Sequence, residues 1–231
     1  MAYNGQMSSS GDSAVNGGSG AEPIRRRKDA QRNYDRLLSE ARAVVAERGS
    51  DASLEEIARR AEVGIATLYR HFPNRTELIR ALYEQSLATL MLSASDIFSA
   101  PSAWEGVAQY VERVAEWLID DPGLPSIIVY MGTADAAYRP GAAIEAPLAA
   151  LIARAQADGE LRQDVNGVDV SILVTMLGVL STYNRPGQPA TIDWRRQLGI
   201  VLDGLRAENV RTELPGTPLD ADGFHHAVHK N

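Results

Sequence analysis

The sequence predicts an all-α protein, with a small N-terminal three-helix unit followed by a larger helical domain. Three observations carry that prediction. Apolar residues recur at helical spacing in most segments from residue 37 to residue 205. Two short helices joined by a tight turn can be read in residues 53–75. No convincing strand and no internal repeat appears anywhere in the 231 residues.

Residues 1–24 are rich in Gly, Ser and Asn and read as a disordered tail. Arg25, Arg26, Arg27 and Lys28 follow, placed to lie near phosphate or to be a solvated charge run. A first helix is expected over 27–48. Its stripe is Leu37, Leu38, Ala41, Val44 and Val45, and Gly49 ends it. Ser53 and Glu56 have the spacing of a capping box at the start of the next helix. Leu54, Ile57, Ala58 and Ala61 share its buried face. A turn at Glu62, Val63 and Gly64 leads into a second short helix over 65–71, stopped by Pro73. Leu68 and Phe72 belong to the core. Thr67, Tyr69, Arg70 and His71 remain on or near the open side, a polar, cationic and aromatic surface suited to phosphates and base edges.

A long helix is expected over 76–95, its first half closing the three-helix core and its second half entering the next domain. Val107, Tyr110, Val111, Val114, Trp117 and Leu118 give a further amphipathic helix. Residues 124–132 read as a short apolar helix, and 140–158 as a helix ended by Gly159. Residues 169–183 are apolar nearly all round, so that helix must be covered on more than one side. A Pro-containing loop is expected over 185–191. The last helix carries Trp194, Leu198, Val201, Leu202 and Leu205, and 208–231 read as a polar tail.

Composition narrows the chemistry. There are no cysteines, so disulfides, thiolate metal sites and Cys catalysis are excluded. No apolar run reaches the length of a membrane span, and no secretory signal is visible. Net charge is −7, yet residues 24–80 hold 13 Lys+Arg against 9 Asp+Glu, a local +4. The cationic part is the part with the paired short helices. His225, His226 and His229 lie in the polar tail and read as disorder rather than a metal site. No nucleophile–base pair, Gly-rich phosphate loop or paired-carboxylate motif is found, so no catalytic residue, metal or cofactor is expected.

The run Thr67 to Arg75, T-L-Y-R-H-F-P-N-R, preceded by I-A-R-R-A-E-V from Ile57 to Val63, resembles the helix-turn-helix of the TetR family of transcriptional regulators. The resemblance is close over 26–84 and general beyond. Two positions depart from it: Glu62 stands where the family usually has Gly, and Ala66 where it often has Gly. The resemblance implies phosphate contacts at Tyr69, His71 and Arg75, and an approach to bases at Ile65, Ala66 and Thr67. Ser53 also suits a phosphate, and Arg70 fits either role.

The domains expected are 25–84 for DNA binding and 85–207 for effector binding and dimerisation. The partners expected are a double-stranded, near-palindromic operator, a second copy of the chain and an unidentified small-molecule effector, in the cytoplasm and away from membranes. The dimer interface is expected at Leu173, Leu177, Leu180, Leu198, Val201, Leu202 and Leu205. Tyr110 and Trp117 are the expected pocket lining, against the competing reading of both as core. Ligand-released repression is the leading expectation, with activation open. The rival is a helical ligand-binding or scaffold protein that has lost DNA binding.

Overall fold

The computed structural model describes residues 21–94, 96–134, 138, 139, 141–180 and 192–229, with side chains from Lys28 onward except at His226, Val228 and His229. The fold is all-α. Among the described residues the only β-type pairing is an isolated antiparallel bridge between Leu161 and Arg206.

Helix α1 (Ala21–Arg48) starts ahead of the expected residue 27, so 21–24, expected in the disordered tail, are helical. The rest of that expected tail, 1–20, lies outside the described residues. Helix α2 (Leu54–Arg60) follows a turn at Gly49, which has φ of 79°. Only half of the expected capping box forms. Ser53 Oγ accepts from the Glu56 N–H at 3.4 Å. The Glu56 carboxylate turns instead to Arg48 at 2.5 Å and Arg60 at 3.2 Å, because two guanidinium groups outbid one backbone N–H.

Glu62 in the α2–α3 turn has φ of 51°, the left-handed region that explains why Gly is usual there. The strain of about 1–2 kcal/mol is offset by neighbours. Val63 N–H donates to Ala58 O at 3.0 Å, and Arg36 Nη2 donates to Glu62 Oε2 at 2.6 Å. Helix α3 (Ile65–His71) ends at Phe72, and α4 (Arg75–Ser93) is capped by Asn74, whose Oδ1 accepts from Glu77 N–H at 2.9 Å. Leu37, Val44, Ile57, Leu68, Leu78 and Ile79 fill the three-helix core. Tyr34 on α1 lies 5.3 Å from the Phe72 ring and 5.8 Å from His71, locking the end of α3 against α1.

The larger domain is built around α5 (Ala103–Asp120), capped by Ser102. It packs against α7 (Ala142–Ala157) and α8 (Gly167–Gly178), with α4 and α9 (Trp194–Leu205) alongside. Gly178 permits the closest approach: a Cβ there would stand 2.8 Å from Leu118 Cβ. Helix α8 starts with a full capping box between Asn166 and Asp169. Its expected end at Tyr183 and the expected 185–191 loop lie outside the described residues.

The chain beyond α9 departs from expectation. Residues 206–229 cross the domain surface and form α10 (Ala221–His229), which packs on α6 (Leu124–Ala134). The Arg206 guanidinium sits 4.2 Å over Trp104. Arg162 donates to Thr212 O at 3.2 Å, Leu214 N–H to Asp164 Oδ2 at 2.9 Å, and Asn166 to Leu219 O at 2.8 Å. Arg139 Nη2 donates to Asp222 Oδ1 at 2.7 Å. These are mostly bonds to the tail's main chain, which composition does not reveal.

Helix α4 is not the sole link between the two parts. Arg42 of α1 pairs with Asp121 at the end of α5 and also donates to Leu82 O at 3.4 Å and Gln85 Oε1 at 3.2 Å. Thr76 and Tyr130 share a hydroxyl–hydroxyl hydrogen bond of 3.0 Å between α4 and α6. Gly123 lies so close to α1 that a Cβ would meet Ala46 N at 3.2 Å.

Candidate nucleic-acid interface

Helix α3 is only seven residues long and holds itself to the domain by one fully buried side chain, Leu68, with Phe72 behind it. The opposite side is open. Ile65 and Tyr69 are 40% and 44% exposed, unusual for large apolar groups. Ala66 and Arg70 are exposed too, and Thr67 and His71 are half-buried. Arg70 Nη2 donates to Thr67 Oγ1 at 2.8 Å, which aims the guanidinium along the α3 surface. The structure thus brings Ile65, Ala66, Thr67, Tyr69, Arg70 and His71 onto one short helix.

Arg75, the first residue of α4, and Ser53, the N-cap of α2, already have partners. Arg75 Nη1 lies 3.3 Å from Asp51 Oδ1. The Ser53 hydroxyl donates to Glu55 Oε2 at 2.7 Å, and this bond, followed by the main chain and the charge of Arg75, holds the Glu55 carboxyl below its usual range. Sequence spacing gave no sign of Asp51, which reaches Arg75 only through the tertiary fold, whereas Glu55 is a local partner two residues from Ser53.

The expected effector-site residues sit among aromatic groups. Tyr110 is buried, which pushes its hydroxyl up from the ordinary value, and its ring lies 6.2 Å from Phe98. Trp117 Nε1 donates to Ser86 Oγ at 2.9 Å and Ser86 O at 3.1 Å, which fixes the indole and satisfies a buried serine. Two further residues share this neighbourhood, Tyr83 and Tyr138. Burial pushes Tyr83 up to about 12, and its ring lies 6.3 Å from Trp117 and 6.2 Å from Tyr138. Tyr138 is pushed up by burial and by Glu84, and Arg80 stacks over its ring at 5.0 Å. Periodicity favoured Tyr110 and Trp117 because they share a face of α5. Tyr83 needed only the matching inward face of α4.

A groove of about 340 Å³ opens elsewhere, between α8 and α9. Arg162, Asp169, Ile172, Leu173, Ile200 and Leu214 are among its lining, and Tyr110 and Trp117 are not. Of the seven residues expected at a dimer interface, Leu177, Leu198 and Leu205 turn into the protomer's own core, so they are not outward-facing. Leu173, Leu180, Val201 and Leu202 are half-buried. The exposed apolar groups of the same helices are Met176, Val179 and Ile200.

A cationic small domain that presents a capped helix-turn-helix beside a separate helical domain defines a DNA-binding regulator. Comparison with known proteins gives the family. Residues 37–82 match the profile of bacterial regulatory proteins of the tetR family, and residues 102–207 match that of the SbtR-like transcriptional regulator C-terminal domain. The chain is 33% identical to the TetR transcriptional regulator SCO0520 from Streptomyces coelicolor, covering 74% of this chain and 97% of that one, with a TM-score of 0.48. It is 30% identical over 83 residues to the HTH-type transcriptional regulator SAR0097 of Staphylococcus aureus (strain MRSA252), 35% of this chain and 43% of that protein. The chain thus aligns with less than half the length of this curated relative. The transcriptional regulator FadR from Bacillus subtilis, solved with stearoyl-CoA, shares the fold at 17% identity and a TM-score of 0.61, over 77% of this chain and all of that one. The chain belongs to the TetR family of transcriptional regulators. Among the described residues no helix is long and apolar enough to cross a membrane.

Proposed function

We propose that the protein is a ligand-released repressor that acts in the cytoplasm and binds a near-palindromic operator as a homodimer. The observation that carries this reading is the open face of α3. Ile65, Ala66, Tyr69 and Arg70, with half-buried Thr67 among them, are presented by a helix anchored through Leu68 and Phe72. Such a face has no role in the protomer's own packing and suits base edges. Tyr69, His71, Arg75 and Ser53 are assigned to phosphate, and Ile65, Ala66 and Thr67 to bases.

One short helix makes few base contacts, so two copies related by a two-fold axis are needed for a specific site. Exposed Met176, Val179 and Ile200, together with half-buried Leu173, Leu180, Val201 and Leu202, form the surface proposed for that pairing. Release is assigned to a small molecule seated among Tyr83, Tyr110, Trp117 and Tyr138. That FadR was solved with stearoyl-CoA supports a small-molecule effector without fixing its identity here. No catalytic step is assigned.

Selection of bound fragments from genomic DNA, followed by gel shift, tests the reading. Enrichment of an inverted repeat near promoters, bound by two protomers, is expected. No retarded band even at low salt would favour the rival, a helical ligand-binding protein without DNA binding.

A further inference from the structure

Arg75 opens α4 and is the cation assigned to a DNA phosphate. It already holds an anion in the free protein. Its Nη1 stands 3.3 Å from Asp51 Oδ1, although the two are 24 positions apart in sequence. The Arg75 side chain is 35% exposed and that of Asp51 93% exposed, so both face the solvent from which DNA would arrive. Glu55 is another charged group coupled electrostatically to Arg75. It is held differently, through the Ser53 hydroxyl at 2.7 Å.

We propose that Asp51 is an affinity-limiting residue of the DNA-binding surface: its carboxylate occupies the Arg75 guanidinium in the free protein and is displaced by a DNA phosphate. The inference rests on the regulator reading above. Carboxylate and phosphate oxygens compete for the same guanidinium edge. When phosphate takes Arg75, a condensed cation leaves the DNA, as for any phosphate contact. The freed Asp51 carboxylate then stands beside a phosphate, unpaired, and takes up a cation in turn. Asp51 therefore lowers affinity and also flattens the salt dependence. Because phosphate carries no base identity, the effect is the same on every sequence. Exposed ion pairs are weak, so the expected size is about two- to five-fold.

The test measures binding of random-sequence duplex DNA by fluorescence anisotropy across a salt series. The proteins are the wild type, Asp51→Asn, Arg75→Ala, Glu55→Gln and the Asp51→Asn/Arg75→Ala double variant, each checked for folding by circular dichroism. Asp51→Asn is expected to bind about two- to five-fold tighter at low salt, with a steeper salt slope. The double variant is expected to match Arg75→Ala, because Asp51 acts through Arg75. A gain that persists undiminished in the Arg75→Ala background, or one that Glu55→Gln reproduces in full, overturns the inference in favour of general charge repulsion. Equal affinity of Asp51→Asn and wild type overturns it as well, while leaving the regulator reading intact. If the wild type binds no duplex at any salt, that reading falls and takes the inference with it.

Discussion

Thr67 and Arg70 sit one helical turn apart on α3, joined at 2.8 Å. The bond makes Thr67 more than a base-facing methyl, since it also sets where the guanidinium points. Thr67→Ala is therefore expected to redistribute preference among operator variants by about 1–3 kcal/mol at the affected position. Arg75→Ala is expected to weaken all sequences alike and to lower the salt slope, by about one in the Asp51→Asn background and by less in the wild type, where Asp51 takes up a cation. Binding of an operator-variant panel at two salt concentrations separates the two patterns, and a uniform loss for Thr67→Ala would remove it from the base-reading set. Tyr83 gives a second test at this scale. Burial raises it to about 12, above the ordinary value near 10. Below pH 10 the hydroxyl is protonated in both states and contributes no pH dependence. Between about pH 10 and 12 the unfolded chain ionises while the folded one does not, so stability falls as pH rises. Tyr83→Phe should flatten that alkaline limb in melting temperatures measured from pH 8 to 11.

At the scale of elements, α8 and α9 show where residue patterns stop being informative. The sequence of α8 is apolar nearly all round, which predicts cover on more than one side, yet in the protomer the Val170, Val174 and Leu177 face is buried while Met176 is exposed. It does not say which side is covered by the protomer itself. Leu177, Leu198 and Leu205 lie against α5 and its neighbours, whereas Met176 is 63% exposed and Ile200 59% exposed. Leu198→Ala should thus lower protomer stability by about 2–5 kcal/mol, as removal of a buried leucine does. Ile200→Glu should leave the protomer folded and abolish the dimer. Chemical denaturation and sedimentation velocity read the two outcomes, and a dimeric, folded Ile200→Glu protein would place the interface on another surface. The short helices were easier. Ser53 before α2, Gly64 before α3 and Pro73 after it set boundaries that the fold follows, because caps and proline act locally. The reciprocal bond from Glu56 failed to form because Arg48 and Arg60 are tertiary competitors. Helix α10 escaped notice for a similar reason: bonds from Arg162, Asn166 and Arg139 hold the tail, and none of them lies within it.

For the whole molecule, the proposed release requires that a change around Tyr83 and Trp117 reach α3. Helix α4 carries both Tyr83 and the Arg75 end, so a tilt of α4 moves the DNA-binding unit directly. The Arg42–Asp121 pair adds a second connection, from α1 to the end of α5. Its side chains are 31% and 13% exposed, so it is better shielded than the Arg36–Glu62 and Arg75–Asp51 pairs of the small domain. Arg42→Ala leaves the Asp121 carboxylate without its guanidinium and also removes donors to Leu82 O and Gln85. The cost expected is about 1–3 kcal/mol. More informative is where the loss appears. With the latch gone, the small domain is tied by α4, the Thr76–Tyr130 bond and the packing of Gly123 on α1, so it should open locally without the rest. Hydrogen exchange is then expected to accelerate in α1 to α3 and to stay near wild type in α7 and α8. A looser small domain would also hold the two recognition helices of the proposed dimer less firmly at the spacing of about 34–36 Å that successive major grooves demand. Operator affinity should fall, and any releasing ligand should lose leverage, since the coupling between the two sites is one shared free energy. Uniform acceleration of exchange across all helices would instead mean that Arg42 only contributes global stability, and that α4 alone carries the signal.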